Sequence, residues 1–152
     1  MDDSLPVQCD ESWAKVLAPF SSEIESIERS LEGKITYPPF DIAFRALTLP
    51  IESVRVVIFG QDPYPNPEYA DGFAFSVKAE ITPFPASLVN IFKEIESDLG
   101  TAMPENGNLE RWSRQGVLLI NRTLTTVPGE SHAHQRSGWM AITEVIIREI
   151  AS

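Results

Sequence analysis

The chain is poor in cations. Its 152 residues carry 12 Lys and Arg against 22 Asp and Glu, a formal net charge of −10 at pH 7. This argues against bulk electrostatic attraction to nucleic acid, because that mode recruits Lys and Arg to the phosphates. A local anion site built from backbone N–H groups is not excluded. The one cysteine, Cys9, leaves no internal disulfide and no cysteine-ligated iron–sulfur or zinc centre, and it fits a reducing, cytoplasmic setting. No stretch is long and apolar enough to span a membrane. The acidic "MDDSLPVQCDESW" lacks the apolar core of a signal peptide. Neither GxGxxG nor GxxxxGK[ST] occurs, and the HxE…PCxxC pattern of zinc base deaminases is missing too. The two histidines, His132 and His134, lie in a polar stretch with no third ligand nearby. We expect them to be solvated, and we expect no metal site.

What is present reads as one globular domain over 1–152. The chain is 43% hydrophobic and 22% charged, and a chain of this length buries roughly 68–70% of its unfolded surface. "DESWAKVLAPFSSEIESIERSLEGK" has helical spacing broken near Pro19. "YPPFDIAFRALTLP" reads as a turn and a short helix that brings Phe40, Ile42, Ala43, Phe44 and Leu47 to the core. "VRVVIFG" is apolar nearly throughout, which predicts a strand buried on both faces, as in a parallel sheet. "GFAFSV" predicts a second strand and "VLLIN" a third. "PASLVNIFKEIESDLG" is the clearest helix, with Leu88, Ile91, Phe92, Ile95 and Leu99 in one stripe and Gly100 as its stop. "NLERWSRQG" and "GWMAITEVIIREIAS" predict two more helices. Strands alternating with helices give an α/β fold with a mainly parallel sheet.

Ligands in such folds sit beyond the carboxyl ends of the strands. The first strand ends in "GQDPYPNP", where an apolar run stops at a glycine and is followed by a carboxylate, an aromatic and three prolines. The third strand ends in Asn121, and the second carries Phe73 and Phe75. Ser87 is a candidate N-cap whose helix start suits a phosphate. A carboxylate, a carboxamide, an aromatic face and an anion site on one rim suit a planar heterocycle attached to a phosphodiester. Taken singly, each has a plainer reading: Asp62 and Asn121 as turn formers, Phe75 and Phe73 as core, Ser87 as a cap.

Together, "GQDPYPNPEYADGFAFSV", "FPASLVNIFKEIESDLG" and "WSRQGVLLINRTLTTVPGESHAHQRSGW" resemble the uracil-DNA glycosylases of family 1, most closely the actinobacterial type, in the family's order. The resemblance implies a three-layer αβα fold with a short, mainly parallel central sheet. It implies a DNA-repair hydrolase that flips uracil out of DNA, cleaves its N-glycosidic bond and leaves an abasic site. Asp62 is then the catalytic carboxylate and Gln61 a backbone donor to uracil. Tyr64 is the wall against a thymine methyl, Phe75 the stacking ring, Asn121 the partner of the uracil edge and Ser87 the phosphate contact. No cofactor is implied. The implied partners are uracil-containing DNA, free uracil as product and a DNA-mimicking protein inhibitor, with a monomer as the full-length state.

Two departures stand out. Pro65 occupies the place where the family usually has a histidine. The family's later strand, its His-Pro-Ser-Pro motif and its leucine loop have no counterpart, so the resemblance covers a fold cut off before its last strand. This predicts impaired turnover, leaving as the alternative a remnant that binds DNA or a protein. It also predicts that the strand ending at Asn121 is an exposed sheet edge.

Overall fold

Two short parallel strands set the geometry in the computed structural model, which describes residues 8–134 and 137–152. Strand β1 (Val56–Gly60) and strand β2 (Val117–Asn121) run in register from Val56 beside Val117 to Gly60 beside Asn121. Both strands therefore end at one level, and their carboxyl ends form the floor of a cavity.

Before β1 the chain makes α1 (Ala14–Leu17) and α2 (Ser21–Leu31), joined by a 3-10 turn over Ala18–Phe20 that contains Pro19. The proline lacks the N–H a continuous helix needs, so the expected break falls where the sequence places it. Helix α2 buries Ile24, Ile27 and Leu31, which share one face. The "YPPFDIAFRALTLP" segment forms two 3-10 turns, Phe40–Ile42 and Arg45–Thr48, and buries Ala43, Phe44 and Leu47.

The connection from β1 to β2 carries α3 (Ala86–Leu99) and α4 (Glu110–Ser113). In α3, Leu88 and Phe92 are fully buried, but Leu99 is 69% exposed, so the expected apolar stripe ends a turn early. Gly100, at φ +69°, closes the helix in the left-handed region and donates its N–H to the Glu96 carbonyl at 2.8 Å. The last helix, α5 (Trp139–Ala151), buries Trp139, Ile142 and Ile146. The Trp139 ring packs on Phe44 and Phe40, with centroids 5.4 and 6.0 Å away.

Three expectations fail here. The first is the second strand: "GFAFSV" is a turn, and only an isolated bridge joins Ala70 to Val77. Gly72 at φ +92° and Phe75 at φ +66° leave the extended region. The buried Asp71 carboxylate holds the turn closed, accepting from the Phe73 N–H at 3.2 Å and from the Ser76 hydroxyl at 2.7 Å. The Ala74 N–H donates to the Leu119 carbonyl at 3.0 Å and so ties the turn to β2.

The second and third concern burial of the strands. β1 is not covered on both faces, since Val56 is 53% and Phe59 44% exposed, whereas Leu118, Leu119 and Ile120 of β2 are buried. Among the described residues β2 is the sole strand paired with β1. The strand ending at Asn121 is an edge of this two-stranded sheet, as expected, but its apolar run is covered, and the exposed apolar residues are on β1. An apolar run reports that a strand can be buried, but its neighbours decide whether it is.

Candidate active site

The rim above the strand ends holds a cavity of about 230 Å³, and Gln61, Asp62, Tyr64, Phe75, Ser87 and Asn121 all line it. Among the described residues Asp62 supplies the one carboxylate of that lining.

Asn121 and Gly60 form the floor. A Cβ on Gly60 would stand 2.1 Å from Asn121 Oδ1, so the carboxamide lies directly over the glycine. The absence of a side chain at residue 60 gives the amide its place. Among the described residues the Asn121 amide makes no hydrogen bond, which leaves its donors and its acceptor for a ligand.

Gln61 and Asp62 follow. The Gln61 carbonyl accepts from the Thr123 N–H at 3.1 Å and from its hydroxyl at 3.3 Å, fixing the backbone at the start of the proline-rich loop. Pro63, next to Asp62, is buried. The Asp62 side chain is 11% exposed, and its Oδ2 accepts from the His132 N–H at 2.6 Å. The His132 Nδ1 lies 3.8 Å from Asp62 Oδ1 and 3.0 Å from Gln61 Nε2. One carboxylate oxygen is anchored by a backbone N–H, and the other faces the His132 ring.

Phe75 and Tyr64 build the wall. Phe75 is half-buried at φ +66°, a region that bulky residues avoid. The Tyr64 hydroxyl donates to the Phe75 carbonyl at 2.9 Å and lies 3.0 Å from Ser87 Oγ. Burial raises the Tyr64 pKa, so the phenol remains a donor at neutral pH.

Ser87 is not the N-cap. That position belongs to Pro85, at ψ 148°, which makes Ser87 the second helical residue. The first helical bond runs from the Val89 N–H to the Pro85 carbonyl. The preceding amides of the turn therefore point outward without intrahelical partners, and no acidic residue occupies that turn. Backbone N–H groups without intrahelical partners, together with the helix dipole, make such a start electropositive, the kind of end that suits an anion.

The two histidines are not simply solvated. His132 lies over Asp62, as described. His134 is half-buried with Nδ1 2.8 Å from the Thr125 hydroxyl, which also accepts from Trp139 Nε1–H at 2.8 Å. Burial holds the His134 pKa below its usual 6.5, and Lys34 adds to this while the Thr125 bond opposes it. The folded chain thus binds this proton less tightly than the unfolded one. The stability contributed is complete above 6.5 and is lost as the pH falls through the lowered folded value. Thermal melts of His134→Gln at about pH 7.5 and about pH 5 check this: the variant loses less stability between the two than the parent chain.

Residues 48–151 match the family described as the Uracil DNA glycosylase superfamily. The chain belongs to that superfamily. It is 48% identical over 145 residues to uracil-DNA glycosylase 1 of Streptomyces coelicolor, covering 92% of this chain and 64% of the relative. It is 44% identical over 148 residues to the uracil-DNA glycosylase of Mycolicibacterium gilvum, covering 94% and 66%. The chain therefore spans about two-thirds of the length of these relatives. The crystal structure of mimivirus uracil-DNA glycosylase superposes with a TM-score of 0.82 at 30% identity, covering 91% of this chain and 55% of the other.

In this member of the uracil-DNA glycosylase superfamily, two residues of the candidate site carry no signal in the sequence patterns. His132 meets Asp62 across 70 positions, and the polarity of its surroundings reads as a solvated loop. Asp71 acts beneath the surface, shaping the turn that presents Phe75. Buried and hydrogen-bonded, it is held above the usual carboxylate pKa by desolvation, but "ADGF" alone reads as an ordinary turn.

Proposed function

We propose that this protein is a DNA-repair hydrolase that excises uracil from single- or double-stranded DNA, with residues 1–152 acting as one domain. The observation carrying this reading is that one carboxylate, one unpartnered carboxamide, an aromatic face and a helix start line a single small cavity. Uracil enters as a flipped base, because the glycosidic bond cannot be reached within the stack. Phe75 stacks on its face. The Asn121 amide donates to one carbonyl and accepts from the ring N–H, and the backbone N–H of Gln61 donates to the base. Cytosine offers the reverse pattern and would leave buried groups unpaired.

As the N-glycosidic bond breaks, its electron pair leaves with the base and positive charge grows on the sugar. Asp62 faces that charge and holds the attacking water. Water adds to the sugar carbon, its proton passes to Asp62, and an abasic site remains. The helix start at Ser87 takes a flanking phosphate. These steps need no metal or nucleotide. A cytoplasmic setting, a monomeric state and a DNA-mimicking protein inhibitor on the same rim complete the reading; a mimivirus UNG variant is described in complex with UGI.

The test is release of free uracil from uracil-containing oligonucleotides, single-stranded and duplex, with binding measured in parallel. Binding without release at any protein concentration would leave the chain a DNA-binding domain. Specificity provides a further check. Tyr64→Ala opens the space a thymine methyl needs, and the preference for uracil over thymine falls by roughly 10–200-fold, the usual worth of one methyl group in a pocket. An unchanged preference would remove Tyr64 from the gate.

A further inference from the structure

Three features meet at one oxygen. The Tyr64 hydroxyl lies 2.9 Å from the Phe75 carbonyl and 3.0 Å from Ser87 Oγ. Phe75, whose carbonyl it holds, has φ +66°. Ser87 belongs to the helix start to which the proposed function assigns a phosphate. Hydrogen counting orders the chain of bonds. A carbonyl only accepts, so the single phenolic hydrogen goes to Phe75. Ser87 must then donate its own hydrogen to the Tyr64 oxygen. The hydroxyl of Ser87 is thus directed inward in the free protein, and the anion site is left to the backbone amides.

We propose that the Tyr64 hydroxyl is a positioning group that tethers the strained Phe75 backbone, and that Ser87 acts on base seating through it even where no phosphate is present. The ring of Tyr64 and its hydroxyl then have separate duties: the ring excludes bulk at the base, while the oxygen links two loops distant in sequence. A phosphate that draws the Ser87 hydrogen outward removes one donor from Tyr64, so backbone engagement and base stacking are coupled. Left-handed backbone at a bulky residue persists where surrounding bonds over-determine it, and this bond joins the Asp71 turn in doing so. The proposal rests on the uracil-pocket reading for its effect on the base, but not for the tether itself.

The experiment uses the 152-residue chain as Tyr64→Phe, Ser87→Ala and the double variant, titrated with free uracil, which has no phosphate. Tyr64→Phe keeps the ring and weakens uracil binding by roughly 3–10-fold, the net worth of one buried hydrogen bond. Ser87→Ala weakens it by a smaller factor, and the double variant matches Tyr64→Phe alone, because the serine acts only through the phenol. A Ser87→Ala variant with unchanged uracil affinity, or additive effects, would overturn the coupling. Backbone carbon shifts of Phe75 in the ligand-free proteins give a second readout. They move away from left-handed values in Tyr64→Phe, and shifts identical to the parent would overturn the tether. If even the parent binds no uracil, the pocket reading fails, and the Phe75 shifts still decide the tether.

Discussion

Asp62→Asn lowers uracil release by roughly 10²–10⁴-fold, the range expected when a positioned acid–base group is removed, while affinity for free uracil changes little. The substitution is nearly isosteric. Asn can still accept from the His132 N–H through its carboxamide oxygen, so the contact at 2.6 Å and the loop it holds are kept. What disappears is the negative charge opposite the sugar and the acceptor for the water's proton. Single-turnover release from a uracil-containing oligonucleotide, with protein in excess, measures the effect. A rate within tenfold of the parent would show that the carboxylate does not carry the chemistry.

Gly60→Ala reduces free-uracil affinity by roughly 10²-fold, although residue 60 touches no ligand. The added Cβ would stand 2.1 Å from Asn121 Oδ1 and 3.3 Å from the Ala74 Cβ. Either the amide swings away or the strand ends part. The first outcome removes two hydrogen bonds to the base, at about 1–1.5 kcal/mol each. The second destabilises the fold by about 1–3 kcal/mol, as other overpacked sites do. Calorimetric titration with uracil and denaturant unfolding separate them. Gly60→Ala with Asn121→Ala relieves the clash and recovers stability, but not affinity. Unchanged affinity in the single variant would mean that the Asn121 amide does not meet the base.

The elements that follow from side-chain period were legible. β1, β2 and α3 lie where apolar runs, the 3.6-residue stripe and Gly100 place them, and Pro19 breaks the first helical segment. The six candidate site residues were picked out by their order along the chain, and one cavity gathers them. What period cannot carry is the sign of a dihedral angle. "GFAFSV" alternates like a strand, yet Gly72 and Phe75 have positive φ because Asp71, Tyr64 and Leu119 hold the segment from outside it. Ser87 reads as a cap by composition. Pro85 takes that role, and the serine hydroxyl lies against Tyr64 instead. His132 reaches Asp62 only through the closing of a long loop, and nothing local in "GESHAH" records it.

The proposed phosphate contact at the head of α3 has a bearing on counterions. Among the described residues no Lys or Arg lines the cavity, and in the proposed function the phosphate contact falls to the amides at the head of α3. The last turns of the same helix carry Glu94, Glu96 and Asp98. When a basic protein binds DNA, each lysine or arginine that neutralises a phosphate frees an ion condensed on the duplex, and dilution of salt drives the association. A helix end with about half a charge, on a chain of net charge −10, frees few. If the chain excises uracil as proposed, its DNA affinity is set by the flipped base more than by the backbone. The distinction between a uracil-bearing and a uracil-free strand persists at salt concentrations that would release a basic DNA-binding protein from both.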